Sequence, residues 1–304
     1  MDTLTIKTLR LIELCREASA VGQLVITGHD NPDADSVISA VMMKRLMDRC
    51  GVVCRIKLPT RPDNVTLRDV STLGIWDESA VCQFDGDDAL LLVDHHKTFY
   101  SNRVLACVDH HTTPPLPDCE CAIVKKASSC GKIIFDMMRA LGVDTPDDER
   151  LALYSVYLDT QSCRSSKFNK EDAVWAEECI AKYGIDKVGI ERMGFCLNSP
   201  DEPVDVIAMY AFKRYEFHRV CASTAIQIDD DDAAWDGVIC DAVDLLRDKS
   251  AKEGYALWAF VVNKPMKTRS DIYFIYGDGN VQKLELDRLA SRSKDVIPVV
   301  STIK

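Results

Sequence analysis

The chain has 304 residues, 47% of them apolar, which suits two compact domains better than one. Its formal charge of −11, from 37 basic and 48 acidic side chains, repels a phosphate backbone, so binding to nucleic-acid polymers is disfavoured while a local basic pocket for a small anion stays open. Thirteen cysteines, an odd number without a C-x-x-C pair, read as reduced thiols; no basic-then-apolar leader opens the chain and no run approaches about 18 apolar residues, so a cytoplasmic protein without membrane association is expected.

Leu4, Leu9 and Ile12 fall at helical spacing and predict an amphipathic helix over residues 4–18. Residues 23–27 read as a buried strand running into Gly28-His29-Asp30-Asn31-Pro32-Asp33-Ala34-Asp35-Ser36. A helix follows from about Val37 to Cys50, with Asp35 or Ser36 placed to cap it. Residues 52–58 predict a strand and 65–73 a short helix. Residues 89–93 and 104–108 predict two more strands. Ser129-Cys130-Gly131 opens a helix to about Leu141, and a last helix over 149–158 ends near Asp159. Strands alternating with helices predict an α/β fold with a doubly wound parallel sheet, which binds ligands beyond the carboxyl ends of its strands.

Three polar clusters stand at those ends: residues 28–36, Asp94-His95-His96 and Asp109-His110-His111. His29, Asp33 and Asp35 lie four and two residues apart on a loop that Pro32 stiffens, with Asn31 expected to be extended before the proline. Five of the six histidines sit in these clusters, and Asp159 adds a carboxylate after an apolar run. One such loop is ordinary helix-capping chemistry. Three separated Asp/His clusters at equivalent strand ends point instead to a dinuclear hydrolytic site of hard oxygen and imidazole ligands.

Near residues 184–203 the character changes, and Asn198-Ser199-Pro200-Asp201-Glu202-Pro203 reads as a linker. Domains over residues 1–190 and 203–304 are expected, the second a smaller α/β unit with strands at 221–228, 256–262 and 271–276 and a helix around 233–250.

The motifs G-H-D-N-P-D-A-D-S (28–36), L-V-D-H-H (92–96), V-D-H-H (108–111) and L-D-T (158–160) resemble those of the DHH phosphoesterase superfamily, and within it the family II, manganese-dependent inorganic pyrophosphatases. The resemblance implies an N-terminal DHH catalytic domain, a DHHA2-like second domain, an active site in the cleft between them and a homodimer. It further implies that His29 and Asp33 hold one metal, that Asp35, His110 and Asp159 hold the other, and that Asp94 bridges them. His111 is implied to sit beside substrate as a hydrogen-bond donor or proton source, while His95 and His96 inherit no role beyond orienting a neighbour. The absence of cysteine from these motifs fits Mn2+, Co2+ or Mg2+ better than structural zinc.

Ser291-Arg292-Ser293-Lys294-Asp295-Val296-Ile297-Pro298 is similar to the S-R-K-K-Q-V-V-P signature of the same family, which makes Arg292 a phosphate ligand by resemblance; Lys213, in Ala211-Phe212-Lys213-Arg214-Tyr215, matches a second. Ser293 replaces a lysine, Asp30 replaces the lysine of G-H-K-N-P-D, His96 stands where the pyrophosphatases have asparagine, and Gln161–Ser166 diverges. The chain has no Gly-Gly pair and His218 lacks flanking glycine, unlike the G-G-G-H of the nuclease and cyclic-dinucleotide branches. The implied activity is hydrolysis of pyrophosphate; exopolyphosphatase or nucleotide phosphohydrolase activity, and a non-catalytic metal- or nucleotide-binding regulator, are the alternatives. Asp229–Asp232 is read as a solvated loop before a helix, Lys125-Lys126 as ordinary surface charge with an anion contact near the Ser128-Ser129 helix start as the lesser alternative, and the four tryptophans as core.

Overall fold

A computed structural model describes residues 2–96, 101–112, 118–165, 168–195, 197–229, 233–290 and 292–303, without the side chains of Ser293 and Lys294. It divides into two compact units, Met1–Cys196 and Leu197–Lys304.

The first unit runs α1 (Thr3–Val21), β1 (Leu24–Thr27), α2 (Ala34–Arg49), β2 (Arg55–Ile56), α3 (Asn64–Thr72), β3 (Ala89–Val93), β4 (Val104–Asp109), β5 (Cys121–Val124), α4 (Cys130–Leu141), α5 (Pro146–Asp159), α6 (Glu171–Tyr183) and α7 (Lys187–Gly194). The strands form one sheet in the order β2-β1-β3-β4-β5, with every pairing parallel. Ala89-Leu90-Leu91-Leu92-Val93 is almost continuously apolar because a central parallel strand is covered on both faces. Helix α2 is correspondingly buried along most of its length, and Ile38, Met42, Met43, Leu46 and Met47 are fully enclosed. The helix starts carry local signals. Ser129 caps α4 by accepting from the Lys132 amide, and Thr145 and Asp148 form a capping box on α5 with Pro146 in the first turn.

Several expectations are corrected. Asp33, rather than Asp35 or Ser36, caps α2, accepting from the Ser36 amide at 3.1 Å. Asn31 is not extended: it adopts φ 54°, a left-handed conformation asparagine tolerates, and its amide donates to Thr60 Oγ1. The strand expected over 52–58 shrinks to Arg55–Ile56, followed by a single bridge from Leu58 to Val81. Leu9 is 43% exposed; Ile12 is buried as expected, together with Leu11, Leu14, Cys15 and Ala18. Trp235 and Trp258 are core, whereas Trp76 and Trp175 are half-buried. Elements β5, α6 and α7 had no clear sequence signal.

The second unit contains α8 (Val204–Ala208), β6 (Lys213–Glu216), β7 (Val220–Gln227), α9 (Trp235–Glu253), β8 (Leu257–Lys264), β9 (Arg269–Tyr276), β10 (Val281–Leu286) and α10 (Ile297–Val300). Its sheet has the order β10-β9-β8-β7-β6; β7 and β8 are parallel, joined through α9, and the other pairs are antiparallel. Val296 and Val300 bury against Cys221, Leu257 and Ala259, which anchors the wide helical turn at Arg292–Val296. Asn198, in the proline-rich segment, is buried and holds Gln227 through both backbone and side chain. Residues 230–232 of the aspartate run lie outside the described residues. Among the described residues no helix is long and apolar enough to cross a membrane.

Candidate metal centre

The three polar clusters leave β1, β3 and β4 at their carboxyl ends, and the turns there are tightly specified. Gly28 is required because a Cβ would lie 2.9 Å from the Ser36 Cβ at the start of α2. Asp94 takes φ 62° as the chain leaves β3, a conformation available to aspartate, while its amide still donates to Val108 on β4.

Three groups of ligand-type atoms result among the described residues, and two of them account for every expected metal ligand. His29, Asp33 and Asp94 form one; Asp35, His110 and Asp159 form the other. His29 Nδ1 donates to the Asp30 carbonyl, which leaves Nε2 facing Asp33 Oδ2 at 3.6 Å and Asp94 Oδ2 at 3.5 Å. His110 contacts the Ala127 carbonyl through Nδ1, and its Nε2 faces Asp94 Oδ1 at 3.2 Å, Asp159 Oδ2 at 3.7 Å and Asp35 Oδ2 at 3.8 Å. Asp94 therefore divides its two oxygens between the groups. Neighbouring ligands on a six-coordinate ion with bonds near 2.1 Å stand about 3 Å apart, so these spacings are of the size a divalent cation requires. Asp94 Oδ1 and His110 Nε2 are both buried, and neither has a hydrogen-bond partner among the described residues. Buried polar atoms are seldom left so, and the oxygen-and-imidazole donor set fits a hard divalent cation.

The electrostatics agree with that fit. Burial works against a charged imidazole, yet Asp33 and Asp94 outweigh it at His29, and Asp94, Asp35 and Asp159 outweigh it at His110; both rings are held up at about 10. Burial and the Asp35 carboxylate push Asp94 upward, opposed by His110. Cations placed among these carboxylates would relieve the same strain.

The surrounding groups are as ordered as the ligands. Asp35 is 1% exposed and sits on the amino end of α4: Oδ2 accepts from the Cys130 amide at 2.8 Å, while Oδ1 accepts from the Gly131 amide, Ser39 Oγ and Ser155 Oγ. Oδ1 is saturated, so Oδ2 is its atom open to a cation. Ser36 Oγ donates to Asp94 Oδ2 at 2.7 Å. Asp159 ends α5, and Gln161, Ser162 and Cys163 then turn left-handed at φ 51°, 55° and 64°. That divergent stretch is pinned by hydrogen bonds from the Ser162 amide to Tyr157 O and from Ser162 Oγ to Glu191 O.

His111 is placed with Asp94, Asp109 and His110. Asp109, fully buried, accepts from the His111 amide and side chain through Oδ1 and pairs with His96 Nδ1 through Oδ2. His95 hydrogen-bonds the Val93 carbonyl through Nδ1; burial drives it down to about 4, and its ring meets His29 edge-on. The motif reading missed Asp109, Ser36, Ser155 and Gly131 as supporting groups. Asp109 and Ser36 lie inside the V-D-H-H and G-H-D-N-P-D-A-D-S strings and Gly131 at the expected helix start, but none of the three had a role at the site assigned to it, and Ser155 carried no signal.

Lys213 and Arg292 belong to the second unit. Lys213 starts β6, opposite Ser223, and Arg292 Nη1 donates to the Ala211 carbonyl two residues before it. The segment entering Arg292 is held by the Ala290 amide, which donates to Asn263 Oδ1 and Ser270 Oγ. Burial pulls the Arg292 guanidinium downward.

Residues 23–159 match the DHH family, N-terminal domain. Over 91% of the chain, it is 24% identical to Staphylococcus aureus proteins named probable manganese-dependent inorganic pyrophosphatase, covering 97% of their length. A crystal structure from Methanococcus jannaschii, assigned to the family II inorganic pyrophosphatases, aligns with a TM-score of 0.70 at 21% identity, covering 92% of this chain and 98% of that one.

Proposed function

We propose that this chain, whose residues 23–159 make a DHH-family N-terminal domain, hydrolyses inorganic pyrophosphate to two phosphates with two divalent cations, manganese by preference. The observation that carries the reading is the division of Asp94 between His29 and His110, the geometry of one carboxylate shared by two ions. The full-length likeness to proteins named manganese-dependent pyrophosphatases supports the substrate and the metal.

His29, Asp33 and Asp94 would hold one ion, and Asp35, His110, Asp159 and Asp94 the other. The chemistry that two such cations supply is Lewis-acid stabilisation of phosphoryl oxygens and a lowered pKa for the attacking water. The four aspartates localise that charge. Arg292 and Lys213 bind phosphoryl oxygens and offset the charge that grows on the leaving phosphate, the guanidinium by its bidentate fork. His111 gives that phosphate a hydrogen bond or a proton.

Asp30, acidic where the resembled motif has lysine, favours a second reading: the same chemistry on polyphosphate or a nucleotide. Ser293, the other departure, has its side chain outside the described residues. The deciding experiment is phosphate release by the purified chain, with Mn2+ or Mg2+, from pyrophosphate, tripolyphosphate and nucleoside triphosphates. Exclusive turnover of pyrophosphate is expected, with Arg292→Ala and Lys213→Ala each lowering kcat/KM by roughly 100-fold. Release only from the longer or substituted chains would move the specificity to the second reading. No turnover with two ions bound would leave a binding protein.

A further inference from the structure

We infer that Asp109 and His96 are positioning residues for His111: one buried carboxylate grips the Nδ1 edge of two imidazoles and so fixes which nitrogen His111 presents to substrate. The inference rests on the hydrolase reading above for its catalytic meaning, but on geometry for its content.

Asp109 ends β4 with no solvent exposure and meets three donors: the His111 amide at 3.0 Å, His111 Nδ1 at 2.8 Å and His96 Nδ1. An ionised carboxylate only accepts, so each imidazole facing it carries its proton on Nδ1. With its oxygens engaged this way, Asp109 orients side chains and is not needed as a cation ligand, although it lies in the same atom cluster. His111 is thereby left with Nε2 as its remaining polar ring atom, on a side chain 46% exposed; that nitrogen accepts in the neutral ring and donates to phosphate only in the imidazolium, which carries protons on both nitrogens.

His96 matters because a terminal carboxylate torsion is soft and roughly two-fold. Held at Oδ1 alone, the group could rock about that contact; a second grip at Oδ2, from a ring that is itself 4% exposed, removes the freedom. The two histidines lie on different strand ends, β3 and β4, so the link also ties those turns together. Position 96 is where this chain departs from the D-H-N pattern it otherwise resembles, and an asparagine amide could also donate to Asp109, from a shorter stem.

The test is the ring tautomer of His96 and His111, read by histidine-selective 15N NMR on the full chain loaded with Mg2+, together with kcat, KM and bound-metal stoichiometry. The expected wild-type spectrum shows both rings protonated at Nδ1. In His96→Ala, His111 should partition between tautomers and kcat should fall about tenfold, with KM and two bound ions unchanged; His96→Asn should restore both. In Asp109→Asn, whose amide can itself donate, His111 should shift to the Nε2–H form. A wild-type His111 protonated on Nε2 alone overturns the inference without any variant. So does a His96→Ala protein whose His111 tautomer and kcat both match wild type. Because the tautomer is read without turnover, a wild-type chain inert toward every phosphoanhydride would sink the hydrolase reading and still leave this one decided.

Discussion

Ser155 Oγ donates a 2.6 Å hydrogen bond to Asp35 Oδ1, joining α5 to the first turn of α2 across 120 residues of sequence. The same hydroxyl meets Ser129 Oγ at 2.7 Å, so the first turn of α2, the capped start of α4 and the later half of α5 converge on one carboxylate. Removing it in Ser155→Ala frees one lone pair of Asp35 and loosens its orientation. Manganese titration followed by electron paramagnetic resonance should then show about tenfold weaker binding at the site of Asp35, with the His29 site unaffected. Equal weakening at both sites, or none, would remove Ser155 from the metal centre.

Asp94→Asn separates function from stability. Burial and Asp35 make the Asp94 charge unfavourable when no cation is bound, and asparagine keeps the Ser36 hydrogen bond and tolerates φ 62°. With metal chelated, the variant should melt no lower than wild type, while two-ion binding is lost and phosphate release falls at least roughly 1,000-fold. A lower chelated Tm, with two ions still bound, would contradict the shared-carboxylate geometry.

Gly194 leaves no room for a side chain: a Cβ would stand 2.5 Å from Ser162 Oγ and 2.7 Å from the Tyr157 carbonyl. Gly194→Ala must displace the left-handed turn that follows Asp159, and should destabilise the first unit by about 1–3 kcal/mol in urea unfolding. An unchanged midpoint would show that the turn adapts.

Asp148 supplies a pH signature away from the metal centre. Burial would raise its carboxyl, but hydrogen bonds from Arg49, Thr145 and Arg45 outweigh that and hold it below the ordinary carboxylate range. A carboxyl depressed on folding stabilises fully above its unfolded value near 4, and that contribution disappears as pH falls through the folded value. Asp148→Asn should thus cost about 2–3 kcal/mol at pH 7, the arginines being partly solvated, and flatten the acid limb of the stability curve below about pH 4. Parallel curves for variant and wild type across that limb would refute the assignment.

The sequence by itself determined the parallel sheet of the first unit and the strand-end position of every Asp/His cluster, because apolar runs and turn residues are local properties. It could not determine which carboxylate oxygen faces which imidazole. Asp33 caps α2 while Asp35, two residues on, is buried against the α4 amides of Cys130 and Gly131; only packing across some 95 residues separates their fates. Asp109 stands in the sequence only as a member of the Asp109-His110-His111 cluster, without a role of its own, and the tertiary structure makes it the anchor of two rings. Strand β5 was illegible because Cys121–Val124 is four residues long and half-buried in alternation, too short a pattern to stand out until β4 supplies its partner. Side-chain type and local period are written along the chain; hydrogen-bond partners and burial arise only when distant segments meet.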